Sequence, residues 1–131
     1  MNQPTAEAMV PEPDWAIISI TGFNPYTENE EADLHPSWQN ILRLKFDDVL
    51  IRGDHLRGIT DDQAAQIVTF LNVVHDRVDR VVVHCLAGVS RSAGVAKFIA
   101  ERYELDFDHA NGSSFNRLVY DTLKEVEAGV P

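Results

Sequence analysis

Arg80-Val81-Val82-Val83-His84-Cys85-Leu86-Ala87-Gly88-Val89-Ser90-Arg91-Ser92 carries the single cysteine of the chain, with five residues between it and Arg91. Arg80 to Val83 is a β-branched run that reads as a buried strand. Ala93 to Tyr103 keeps a stripe at Val95, Phe98, Ile99 and Arg102-Tyr103, which is helical spacing. A strand that passes through a short loop into a helix N-terminus makes an anion site. Backbone N–H groups without an intrahelical partner face the loop, and the helix dipole adds partial positive charge there. Arg91 can supply a bidentate fork to two oxygens of such an anion. The same dipoles favour a thiolate at Cys85. A thiolate beneath a cradled phosphate is the arrangement that covalent phosphoryl transfer requires. The bland alternative is an inert buried thiol with Arg91 acting as a helix cap.

The stretch resembles the catalytic loop of the cysteine-dependent protein tyrosine and dual-specificity phosphatases, whose pattern is His-Cys-x5-Arg-Ser/Thr. His84, Cys85, Gly88, Arg91 and Ser92 meet its fixed positions. The resemblance is closest to compact bacterial or phage-like members and extends, more weakly, from Trp15 to Leu123. It implies that Cys85 is the nucleophile and Arg91 the phosphate clamp. Leu86, Ala87, Gly88, Val89 and Ser90 would offer backbone N–H groups to the phosphate. Ser92 would assist the departing sulfur, and His84 would orient the loop. Gly88 suits a turn that a Cβ would obstruct.

Working outward, 131 residues suffice for one domain with a proper core. The residues at 1–13, with Pro4, Pro11 and Pro13, read as a flexible tail, and 14–131 as the phosphatase domain. No apolar run approaches the ~20 residues needed to span a bilayer. A single cysteine excludes an internal disulfide and fits a reducing, cytoplasmic setting. The formal charge of −10 disfavours nucleic acid and anionic membrane as partners, since both seek a basic face. Arg52, His55 and Arg57 form a local basic group that can guide an anion, or a merely solvated loop.

Trp15 to Ile20 reads as a strand, closed by Thr21-Gly22, and Ile41 to Phe46 alternates as a second one. Between them, Asn24 to Ser37 reads as a long acidic loop whose Asn24-Pro25-Tyr26 turn is a candidate pocket rim. Thr60 and Gln63 form a capping box for a helix over Asp61–His75, with Ala64, Ile67, Val68, Leu71 and Val74 inward. Ser113 or Ser114 can cap a last helix with Phe115, Leu118, Val119, Leu123 and Val126 inward; Asn116, Arg117 and Tyr120 can pack behind the catalytic loop, with solvated surface the favoured reading. Strands separated by helices predict an α/β domain with a mostly parallel central sheet flanked by helices. Cys85 is then expected at the carboxyl end of a central strand, where ligands bind in such sheets.

The leaving oxygen needs a proton from a carboxylic acid, and Asp48, Asp54 and Asp47 compete for that role. In similar phosphatases the acid follows the strand that precedes the helix before the catalytic strand, which favours Asp48. Asp54 better matches the usual distance to the cysteine, and turn chemistry is the bland account of all three. No cofactor is implied, and one Cys with scattered His makes no metal pattern. The expected partner is a phosphorylated protein or peptide, dephosphorylated at phosphotyrosine and conceivably at phosphoserine or phosphothreonine. The alternatives are the same chemistry on a phosphoinositide or an RNA 5′-phosphate, and a non-catalytic phosphate-binding module.

Overall fold

A computed structural model describes residues 1–28, 30–51, 53, 57–104 and 115–129. Along the chain run α1 (Gln3–Ala8), β1 (Trp15–Thr21), β2 (Asn40–Lys45), α2 (Asp61–Val74), β3 (Arg80–His84), α3 (Arg91–Arg102) and α4 (Arg117–Gly129). The three strands form an all-parallel sheet in the order β2-β1-β3. Ile18 pairs with Leu42 on one side and with Val83 on the other. The middle strand is therefore β1, whose residues from Ala16 to Thr21 are all buried. This corrects the expectation that the cysteine strand is central: among the described strands β3 lies at one edge.

Strand periodicity divides the core between two faces. On one face Ile18, Ile20, Leu44, Phe46, Val83 and Cys85 pack against apolar side chains of α2, α3 and α4. On the other, Ile17 and Val82 pack with Ala6 of α1 and with Ala32, Leu34 and Trp38 of the long loop. Cys85 and His84 consequently point to opposite faces of the sheet. α2 carries the predicted capping box, and its five buried residues are Ala64, Ile67, Val68, Leu71 and Val74. Burying each of the larger ones contributes roughly 1.5–3 kcal/mol.

The N-terminal segment read as a flexible tail carries structure. Asn2 caps α1 by accepting from the Thr5 N–H, and Pro4 sits in the first turn, where no N–H donor is required. Ahead of α1 the chain runs beside the end of β3. Met1 O accepts from Cys85 N–H at 3.2 Å, and Gln3 N–H donates to Leu86 O at 3.1 Å. Hydrophobic burial of Ala6 beneath the sheet and these backbone bonds outweigh the local influence of the prolines.

α3 starts at Arg91, two residues before the expected Ala93, and its N-cap Ser90 makes no side-chain capping bond. The Ser90 hydroxyl donates to Asp48 instead. α4 starts at Arg117; the predicted caps Ser113 and Ser114 lie outside the described residues, as do Arg52, Asp54 and His55. Among the described residues no helix is long and apolar enough to cross a membrane.

Candidate active site

At the end of β3 the backbone leaves the sheet and turns back over Cys85 before entering α3. Gly88 makes this turn with φ +76°, in the left-handed region. A Cβ there would also stand 2.5 Å from Met1 C and Asn2 N, so the loop and the N-terminal segment approach as closely as glycine permits. The turn brings the Gly88 N–H to 3.3 Å from Cys85 Sγ, to which it donates. Ser92, in the first turn of α3, places its Oγ 3.2 Å from the same sulfur.

Cys85 is 2% exposed, at the floor of this loop. Burial pushes its thiol pKa up. The Ser92 side chain, the backbone N–H groups of Ser92 and Gly88 and the nearby Arg91 charge push the other way and prevail, leaving the pKa below that of an ordinary thiol. Alkylation by iodoacetamide follows the thiolate fraction. Its rate is therefore expected to reach half-maximum at a pH below the ordinary thiol range. Ser92→Ala removes one donor to the sulfur and should move that midpoint upward. A wild-type midpoint in the ordinary range, unmoved by Ser92→Ala, would contradict the assignment.

His84 is fully buried on the opposite face, and burial lowers its pKa, so the neutral ring is favoured. Its Nδ1 lies 3.4 Å from Cys85 O, a carbonyl that can only accept, which places the proton on Nδ1. Nε2, 2.6 Å from Ser19 Oγ, then accepts from that hydroxyl. A Ser19–His84–Cys85 chain thus ties the middle strand to the backbone at the start of the loop.

Arg91 is 5% exposed and anchored from two directions. Nη1 donates to Phe46 O at 3.0 Å, at the end of β2. Nη2 stands 2.8 Å from Glu28 Oε1, an ion pair in which both side chains are buried. Arg91 Nε is buried and makes no hydrogen bond with any described residue. Glu28 belongs to the acidic loop that precedes β2, where sequence alone marks it no differently from Glu30 and Glu31. A buried pair of this kind costs several kcal/mol to break by removing one partner, because the other charge is left uncompensated.

Of the three candidate acids, Asp48 is brought to the loop. Its Oδ1 accepts from Ser90 Oγ and from Asn116 Nδ2, each at 2.7 Å. Asp47 turns elsewhere: its Oδ1 accepts from Phe23 N–H at 2.6 Å and secures the turn after β1. Asp54 lies outside the described residues. Asp47, Asp48, Glu28 and Arg57 line an open depression of ≈ 670 Å³ together with Phe23 and the Asn24-Pro25-Tyr26 turn. Tyr26 is 93% exposed on its rim. Lys45 and Arg57 each stand 4.7 Å from the centre of the Phe23 ring.

Asn116, for which the sequence favours solvated surface over packing behind the loop, is fully buried and takes the second position, its N–H donating to Ser90 O. Its Oδ1 accepts from Val119 N–H and caps α4, while Nδ2 reaches Asp48 and Val49 O. The α4 capping signal was legible in principle, since Asn is among the best N-cap residues. The contact with Asp48 was not, because 68 positions separate the two.

Among the described residues no group of three or more His, Cys, Asp or Glu side chains is placed to hold a metal ion. No protein-family model, curated protein or solved structure matches this chain.

Proposed function

We propose that the chain is a phosphatase that hydrolyses phosphate monoesters, phosphotyrosine in proteins above all, through a phosphocysteine. The observation that carries the reading is the pairing of Cys85 with Arg91. A sulfur with a lowered pKa accepts a loop N–H at 3.3 Å, and a doubly anchored guanidinium lies at the same loop's end. Neither feature serves a plain hydrophobic core. A buried inert thiol needs no donors, and burying an arginine costs more than a cap returns.

In the proposed reaction Cys85 Sγ attacks phosphorus and the bond to the leaving oxygen breaks. Backbone N–H groups from Leu86 to Arg91 and the Nε–Nη2 edge of Arg91 hold the equatorial oxygens. Anchoring Nη1 on Phe46 O and Nη2 beside Glu28 fixes the plane of the guanidinium before substrate arrives. Asp48 gives its proton to the leaving oxygen, a role favoured over Asp47 by its contact with Ser90. Water then attacks phosphorus, Asp48 recovers a proton from it, and the P–S bond breaks. The Ser92 hydroxyl, 3.2 Å from the sulfur, stabilises the thiolate that leaves. The chemistry uses side chains and backbone already present and calls for no cofactor.

Phosphotyrosine is favoured over the other substrates by two features. Cys85 is buried, at 2% exposure, so a phosphate carried on a long side chain is better suited to reach it, and an exposed aromatic, Tyr26, stands on the rim of the depression that Asp48 lines. Phosphoinositide or RNA ends would meet a chain of net charge −10. The test is turnover of p-nitrophenyl phosphate and of a phosphotyrosine peptide in EDTA, beside inositol phosphates and 5′-triphosphate RNA. Hydrolysis of the first two, undiminished by chelator, is expected. Tight phosphate binding with no turnover of any substrate would leave a binding module instead.

A further inference from the structure

Asn116 stands outside the Cys85–Arg91 loop, yet it joins three segments that the proposed reaction needs to keep in register. Its backbone N–H donates to Ser90 O at 3.0 Å, holding the loop just before Arg91. Its Nδ2 donates to Asp48 Oδ1 at 2.7 Å and to Val49 O at 3.0 Å, holding the segment after β2. Its Oδ1 accepts from Val119 N–H at 3.0 Å and closes the first turn of α4. Close packing fixes this junction: a Cβ on Gly94 of α3 would stand 2.8 Å from Asn116 O. Asp48, by contrast, is exposed at the end of a strand segment, where an aspartate without partners samples several rotamers. Two donors converging on one oxygen remove that freedom, and Asn116 holds the second donor, Ser90, through its own backbone.

We propose that Asn116 is a positioning residue for proton donation: it holds the Asp48 carboxyl beside the Cys85 loop, in a register set by the start of α4. The proposal rests on the phosphatase reading. Among the described residues, Asp47, Glu28 and Arg57 are the charged groups that line the same depression as Asp48. Asn116 adds a neutral donor among them, able to orient a carboxyl without neutralising it.

A helix cap alone would make Asn116 purely structural, and two variants separate the roles. Ser and Asp are both good N-caps, so Asn116→Ser and Asn116→Asp keep the α4 cap. Ser is too short to reach Asp48. Asp, when ionised, cannot donate and replaces the neutral amide with a second carboxyl beside Asp48. For Asn116→Ser, kcat on an alkyl phosphate is expected to fall about ten- to hundredfold. KM and the kcat on an aryl phosphate with a good leaving group should change little. For Asn116→Asp the same selective loss on the alkyl phosphate is expected, because the amide donor is gone while the cap remains. The coupling also has a signature independent of turnover. The Asn116 side-chain amide resonance in a ¹⁵N–¹H spectrum should shift with pH in the wild type and lose that shift in Asp48→Asn. An amide resonance indifferent to Asp48→Asn, or equal slowing of aryl and alkyl substrates in Asn116→Ser, would overturn the proposal while leaving wild-type phosphatase activity in place. Absence of wild-type turnover, with the resonance coupled to Asp48, would instead overturn the phosphatase reading and the proton-donation role with it.

Discussion

Cys85→Ser is expected to abolish turnover of every phosphate monoester, by about 10⁴-fold or more, while phosphate and vanadate still bind. The size of the loss follows from what the sulfur does in the proposed reaction. Splitting hydrolysis into two displacements at phosphorus depends on a nucleophile that is ionised near neutral pH. The donors around Cys85 Sγ favour that ionisation against the opposing effect of burial. A serine hydroxyl in the same place keeps its proton at neutral pH and is a far weaker nucleophile than a thiolate. Retained binding distinguishes loss of chemistry from loss of the loop, because the N–H groups and Arg91 are untouched. Measurable activity in Cys85→Ser, comparable to the wild type, would mean that water is activated elsewhere.

Arg91→Lys is expected to lower kcat about a thousandfold or more, with phosphate affinity falling as well. An ammonium preserves the charge but reproduces neither the fork nor the two anchors at once. In the folded chain one guanidinium nitrogen bonds Phe46 O at 3.0 Å while a second stands 2.8 Å from Glu28. Lysine can satisfy one of these at a time, and its long stem leaves the charge free to move. The same geometry assigns a consequence to Glu28→Gln. That variant keeps the shape of the pair and removes its charge, so Arg91 loses orientation without being deleted. A partial loss is expected, smaller than for Arg91→Lys, together with a lower melting temperature, since a buried guanidinium is left uncompensated. Kinetics on p-nitrophenyl phosphate, with a thermal melt for each variant, distinguish the two. Near-wild-type turnover in Arg91→Lys would show that Arg91 serves packing and not the phosphate.

The parts of this molecule that were legible in the sequence are those whose cause is local. The capping box of α2 and its apolar period depend on residues a few positions apart, and the five side chains so marked are the five buried ones. The strand–loop–helix of β3 and α3 is equally local, apart from the two-residue shift at the start of α3. The Ser90 hydroxyl bonds Asp48 across 42 positions in place of capping α3, a contact that no local pattern announces. Glu28 was missed, and Asn116 ranks in sequence as surface ahead of packing behind the loop, for the same reason. Each is one polar residue in a polar stretch, and only the fold reveals that one meets Arg91 and the other Asp48. The N-terminal segment misled in the opposite direction. Its prolines suggest a tail, but proline is compatible with the first turn of α1, and the pairing of Met1 and Gln3 with the end of β3 uses backbone groups that no side-chain pattern announces. Sheet order lies in the same class: parallel pairing was implied by the alternation of elements, whereas the middle position of β1 depends on which strands meet.

The central claim is a covalent bond between phosphorus and Cys85, and it is tested most directly by trapping that bond. Wild-type protein mixed with an excess of p-nitrophenyl phosphate, quenched in acid within one turnover and examined as the intact chain by mass spectrometry, should carry one phosphoryl group. Fragmentation should place it on Cys85, and Asp48→Asn should still show it when the leaving group is good. A chain that releases p-nitrophenol at the same rate yet carries no phosphoryl group, or carries it on any residue other than Cys85, would contradict the mechanism.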